Sequence, residues 1–165
     1  MKAISLHAPW AWALMYGGKD VENRAKTFPR RRGGVEVTGR VWVHASVWPG
    51  RGALWAPSTQ TAPQKWEMFF TEFNAVIRTV QLRGSTHTEH EWPTADAMRG
   101  HIVGSVEVYG YQTPDNPPDS PWYVPGSLAI MVRDPKPLVT PVPAQGALGW
   151  WTPPAEVLAQ LEAQS

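Results

Sequence analysis

The 165-residue chain carries 42% hydrophobic residues, 18% charged residues and a formal net charge of +1. That is apolar enough to pack a core, which excludes wholesale disorder, and the length suits one domain over residues 1–165. Cysteine is absent, which excludes disulfides and thiolate metal sites. No stretch approaches the 18 or so apolar residues of a membrane span, and Met1–His7 is too short an apolar run for a signal peptide. A cytoplasmic protein without a membrane partner is therefore expected.

Taken along the chain, Lys2–His7 alternates like a short strand. Pro9–Tyr16 follows as a helix with Pro9 at its start, where a missing N–H costs nothing, and Gly17-Gly18 ends it. Lys19–Ala25 is expected to be extended and Phe28–Gly34 a loop. Val35–Val37 and Val41–Ala45 have strand character, the second with Trp42, His44 and Ser46 on one face. Residues 48–61 are rich in Pro and Gly and predict irregular structure.

Pro63–Val80 has the strongest helical pattern, with Phe73, Val76, Ile77 and Val80 at helical spacing. A single helical turn is expected over Ala95–Arg99. Ile102–Tyr111 predicts a strand, and the five prolines within Thr113–Gly126 predict a long loop. Ser127–Arg133 predicts another strand and Pro135–Pro143 a proline-rich edge segment. Pro154–Ala163 closes the chain as a small amphipathic helix. Many short strands with inserted helices favour an α+β fold built on a small mixed barrel. No dinucleotide or triphosphate loop is present, so no cofactor is expected.

The chemistry concentrates in Gly17–Arg24. Lys19, Glu22 and Arg24 bring an amine, a carboxylate and a guanidinium within six residues after a glycine turn. On an extended backbone Glu22 and Arg24 share a face, and Lys19 reaches it from the end. A carboxylate between cations accepts hydrogen bonds from an exocyclic amine or orients a water. A guanidinium offers a planar fork of donors. The plainer alternative is a surface ion-pair strip, worth little energetically.

Seven of the fifteen basic residues fall between Lys19 and Arg40, with Arg30, Arg31 and Arg32 as candidate contacts to a nucleic-acid backbone. Ten tryptophans exceed the needs of a core this size, and Trp10 and Trp122 are candidate stacking walls. His44 and Ser46 are candidate ligand contacts, with Ser5, Tyr109 and Tyr111 as further polar groups. His87-x-x-His90-Glu91 has metal-ligand residue types but no third histidine nearby, and no metal is expected.

Ile4-Ser5-Leu6-His7-Ala8-Pro9-Trp10-Ala11-Trp12-Ala13, followed by Gly17-x-Lys19-x-x-Glu22-x-Arg24, resembles the ASCH domain family, whose motif is G-x-K-x-x-E-x-R. Val43–Ser46, the strand Gly100–Val108 and Gly146–Trp151 also resemble bacterial and phage members. The resemblance implies a PUA-like β-barrel with peripheral helices and a cleft floored by the motif. It implies as partner RNA, another single-stranded nucleic acid or a modified nucleoside.

One bacterial branch of the family hydrolyses N4-acetylcytidine, and another member is reported to cleave RNA. Lys19 matches the lysine that the amidohydrolase branch uses catalytically, whereas Glu22 stands where that branch has its threonine nucleophile. The leading expectation is thus a binding module. The alternative is a metal-independent hydrolase or ribonuclease in which Lys19 and Glu22 are catalytic, Glu22 activating water while Lys19 and Arg24 stabilise an oxyanion.

Overall fold

A computed structural model of the protein describes residues 1–25, 27–28, 36–47 and 62–164. The first strand, β1 (Ala3–His7), runs directly into α1 (Ala8–Met15). Pro9 occupies the first turn of that helix as expected. Instead of one apolar face, α1 buries Ala8, Pro9 and Ala11–Met15, because it is enclosed by the sheet and two other helices. Trp12 stacks edge-on against Phe73 at 5.5 Å. Phe73 lies on α2 (Ala62–Leu82), whose Val76, Ile77 and Val80 continue the buried stripe.

The strands β2 (Val21–Arg24), β3 (Gly39–Ser46), β4 (His101–Gln112), β5 (Leu128–Pro143) and β6 (Trp150–Trp151) complete one mixed sheet of order β2-β5-β4-β3-β1-β6. Two further helices, α3 (Trp92–Ala97) and α4 (Ala155–Glu162), pack around it. This is the expected α+β class, with the barrel realised as a curled half-barrel of six strands. Its two faces bury separate clusters. One is built on α1, α2 and the Ile4/Leu6 side of β1, and the other joins Ala3, Trp42, Ile102 and Trp151 to Val157 and Leu161 of α4.

Two expectations change. Glu36–Thr38 form no strand; the Tyr111 hydroxyl donates to the Val37 carbonyl at 2.8 Å and accepts from the Val37 amide at 2.8 Å. A side chain has taken the bonds that a neighbouring strand would make, and Val35 lies outside the described residues. The segments Ser127–Arg133 and Pro135–Pro143 are one strand, β5. It continues through Asp134 at φ 48°, where Arg40 donates to the Asp134 carbonyl at 2.6 Å and to its carboxylate.

Past Met131, β5 pairs only with β4. Pro135, Pro137, Pro141 and Pro143 all fall in this stretch, where one edge has no partner among the described strands, and a proline has no N–H to lose on an unpaired edge. No described helix is long and apolar enough to cross a membrane.

Candidate functional site

The site begins at the turn that the two glycines allow. Gly18 adopts φ 67°, a conformation a side chain disfavours. A Cβ on Gly17 would lie 3.0 Å from Ala13 Cα and from Val80 Cγ1, so the chain turns tightly beneath α2. The Lys19 amide then donates back to the Ala13 carbonyl at 3.0 Å, and the Lys19 side chain enters the interior, 6% exposed.

Lys19 Nζ donates to Glu22 Oε2 at 2.7 Å and to the Val21 carbonyl. Burial pushes its pKa below the ordinary lysine value, while the neighbouring Glu22 charge pulls the other way. Glu22 Oε1 lies 3.1 Å from Arg24 Nε, an ion pair by distance. The approach is out of line for a hydrogen bond, and Arg24 Nε is buried without a hydrogen-bond partner among the described residues. A buried N–H left without a hydrogen bond costs about 1–3 kcal/mol, and here its charge is met by the Glu22 carboxylate. Arg24 Nη2 donates to the Ser5 carbonyl at 2.7 Å.

That last bond has topological meaning. β2 and β6 are the two edges of the sheet, and β6 covers only Ala3 and Ile4 of β1. Ser5 is beyond its end, and Arg24 reaches it across the opening of the half-barrel. The guanidinium also sits over the Phe28 ring at 5.5 Å, and Phe28 meets Trp150 at 5.9 Å. The result is a continuous row of ammonium, carboxylate, guanidinium and two aromatic rings. The sequence reading had Lys19, Glu22 and Arg24 but no role for Phe28 or for Trp150. Only the tertiary contact gives them one, because Phe28 is four residues from Arg24 and Trp150 more than a hundred.

Behind Ser5 lies a second group. Ser5 pairs with His44 in the parallel β1–β3 register, and Ser5 Oγ accepts from Trp151 Nε1 at 3.1 Å. Trp151 packs edge-on to His44 at 5.7 Å. His44 Nε2 lies 3.0 Å from the Ala144 carbonyl, which can only accept, so the ring proton sits on Nε2. Nδ1 is then a bare acceptor, buried without a partner among the described residues. Burial first, and His101 to a smaller degree, lower the His44 pKa to about 4, against a pull upward from the Ala144 carbonyl.

The sign of the pH effect follows. Between about pH 4 and 6.5 the unfolded chain binds a proton at His44 that the folded one refuses, so stability falls with acidification through that window. The full loss is about 3 kcal/mol. Urea midpoints measured at pH 7 and pH 4 are expected to show this limb, and His44→Gln to flatten it; an unchanged limb in the variant would assign it to other groups.

The remaining candidates are placed as follows. Ser46 Oγ is buried without a partner among the described residues. Trp10 is half-buried against the principal core. Trp122 is 4% exposed within that core, so its ring is an anchor of the proline-rich loop and presents little open face for stacking. Arg30, Arg31 and Arg32 lie outside the described residues. Tyr109 is exposed beneath Arg133, and Tyr111 is committed to Val37. His87 contacts Glu91 at 2.7 Å and the Tyr16 carbonyl at 3.2 Å, so both its nitrogens serve local structure.

No family model matches the chain, and no curated protein matches it by sequence. Among solved structures the chain is similar to ASCH from Zymomonas mobilis, at 13% identity and a TM-score of 0.48, over 98% of this chain and 93% of that one.

Proposed function

We propose that the chain is an ASCH-type module that binds RNA, or a modified nucleobase, over the row formed by Lys19, Glu22 and Arg24. The observation that carries this reading is the row itself: three charges held on one line at the mouth of the half-barrel, next to Phe28 and Trp150. The edge of a base offers an exocyclic amine beside a ring or carbonyl acceptor. A carboxylate beside a guanidinium is its complement. Each Glu22 oxygen faces one cation and retains a second lone pair. Aromatic rings alongside supply the stacking surface that unpaired bases use.

The test is fluorescence anisotropy with short single-stranded RNA and DNA at low salt. Binding is expected to weaken as salt rises, because neutralised phosphates release counterions. Arg24→Ala is expected to weaken it by roughly tenfold or more, the worth of one charge-assisted contact. Absence of binding to both polymers at low salt would sink the strand-binding form of the reading.

The burial of Lys19 favours one alternative, hydrolysis of an N4-acylated pyrimidine nucleoside. The Lys19 amine, buried against Glu22 with desolvation lowering its pKa, has the strongly perturbed environment typical of a reacting group. Water adds to the acyl carbon and gives its proton to Glu22, Lys19 and Arg24 hold the oxyanion, and the C–N bond breaks as the amine takes the proton back. Incubation with N4-acetylcytidine in the presence of a chelator, with chromatography of the products, decides it: release of cytidine supports this alternative, and an intact nucleoside removes it.

A further inference from the structure

The residues between the charged positions of the motif face the other way. Asn23 alternates with Glu22 and Arg24 along β2, so its side chain leaves the opposite face of the strand. Its Nδ2 donates to the Trp122 carbonyl at 2.7 Å, and its Oδ1 accepts from the Val124 amide at 2.8 Å and from Ser127 Oγ at 2.9 Å. The Ser127 hydroxyl has one proton and shares it with the Val124 carbonyl at 2.6 Å. Just upstream, Asp20 Oδ1 accepts from Ser120 Oγ at 2.5 Å. The proline-rich loop is therefore stitched to the back of the strand whose front carries the site.

β2 needs that stitching. It has four residues, lies at the edge of the sheet, and among the described strands pairs with β5 alone. A strand so short, with one neighbour, holds its side-chain directions weakly. Asn23 adds three hydrogen bonds in its middle, to a loop that is itself tied into the core through buried Trp122.

We propose that Asn23 is a positioning residue. By locking the loop 120–127 onto β2, it fixes the direction in which Glu22 and Arg24 project. The proposal rests on the binding reading for its functional consequence, but its structural core is independent of any ligand. It also makes the proline-rich loop a fixed backing of the strand that carries the site, set in place before a ligand arrives.

The experiment follows the titration of Lys19 by NMR of lysine-labelled full-length protein, with hydrogen exchange at the Val124 amide as the report on the loop. In Asn23→Ala, Val124 exchange is expected to accelerate by roughly tenfold or more. The Lys19 midpoint is expected to fall further below the ordinary lysine value, because Glu22, the group that holds it up, loses its fixed direction. Asn23→Asp keeps the oxygen that accepts from Val124 and Ser127 but sets an oxygen against the Trp122 carbonyl, so it is expected to restore only part of the Val124 protection.

A purely structural role would lower stability and leave the Lys19 midpoint of the folded protein where it was. An Asn23→Ala protein with a freed Val124 amide and a wild-type Lys19 midpoint overturns the proposal. If Asn23→Ala does not fold, Ser127→Ala removes one of the three bonds and carries the same comparison. Oligonucleotide affinity measured on the same proteins is expected to fall as the midpoint shifts. Failure of the wild type to bind would remove the binding reading while the titration still decides the role of Asn23.

Discussion

Glu22→Ala is expected to cost about 3–5 kcal/mol of stability, the cost of leaving one partner of a buried ion pair without the other. The reason lies in the asymmetry of the pair. The Lys19 side chain is 2% exposed and the Glu22 side chain 11%, so the ammonium has no water to turn to when the carboxylate is removed. For a chain of this length such a loss lowers the thermal midpoint by about 10 °C.

The pH dependence identifies the cause. Lys19 already has a lowered pKa in the folded protein, and Glu22 is the main group holding it up. Removing Glu22 lowers it further. The unfolded chain then binds a proton that the folded chain refuses, over a wider window ending near the ordinary lysine value of 10.5. Stability must rise with pH through that window. The gap between Glu22→Ala and wild type is therefore expected to narrow between pH 7 and pH 10. Thermal melts at both pH values check this, and a gap that stays constant would show that Lys19 is not the group left exposed.

Gly146→Ala is the second large effect expected, at about 1–3 kcal/mol or more, the usual cost of overpacking. A Cβ at Gly146 would lie 2.4 Å from His44 Cε1, 2.5 Å from His44 Nδ1 and 2.7 Å from Ser5 Oγ. None of these can retreat cheaply. The His44 ring is 2% exposed, bonded at Nε2 to the Ala144 carbonyl and braced by Trp151. Ser5 is held by the β1–β3 pairing and by Trp151 Nε1. The strain would reach the site, because the Ser5 carbonyl is where Arg24 closes the half-barrel. Equilibrium unfolding in urea gives the cost directly. A wild-type midpoint in Gly146→Ala would show that the Gly146 loop yields instead.

Gly17–Arg24 illustrates what was legible in advance. Period-two geometry alone puts Glu22 and Arg24 on one face, and the glycines alone mark the turn that delivers Lys19; both are as expected. The helical stripe of α2 was equally plain, since Phe73, Val76, Ile77 and Val80 recur at a spacing only a helix aligns. The burial of Trp122 was not legible. A tryptophan's composition says it will bury a large surface, but whether that surface meets a ligand or the core depends on which element covers it. Likewise Val37 had the residue type of a strand, and a tyrosine seventy-four positions away took its backbone bonds instead.

By itself, then, the sequence determined what depends on near neighbours: strand and helix periods, the glycine turn, the alternation that separates Glu22 and Arg24 from Asn23, and the absence of thiol chemistry. The tertiary structure alone decided what depends on distant ones. It curled the sheet until Arg24 on one edge strand reached Ser5 beyond the other edge, brought Trp150 to Phe28, and tied the loop at 120–127 to Asn23. The physical reason is that hydrogen-bond direction and side-chain alternation are set within a few residues. Burial, ion pairing and the lowered pKa of Lys19 are set by whatever the curl of the sheet places on top of them.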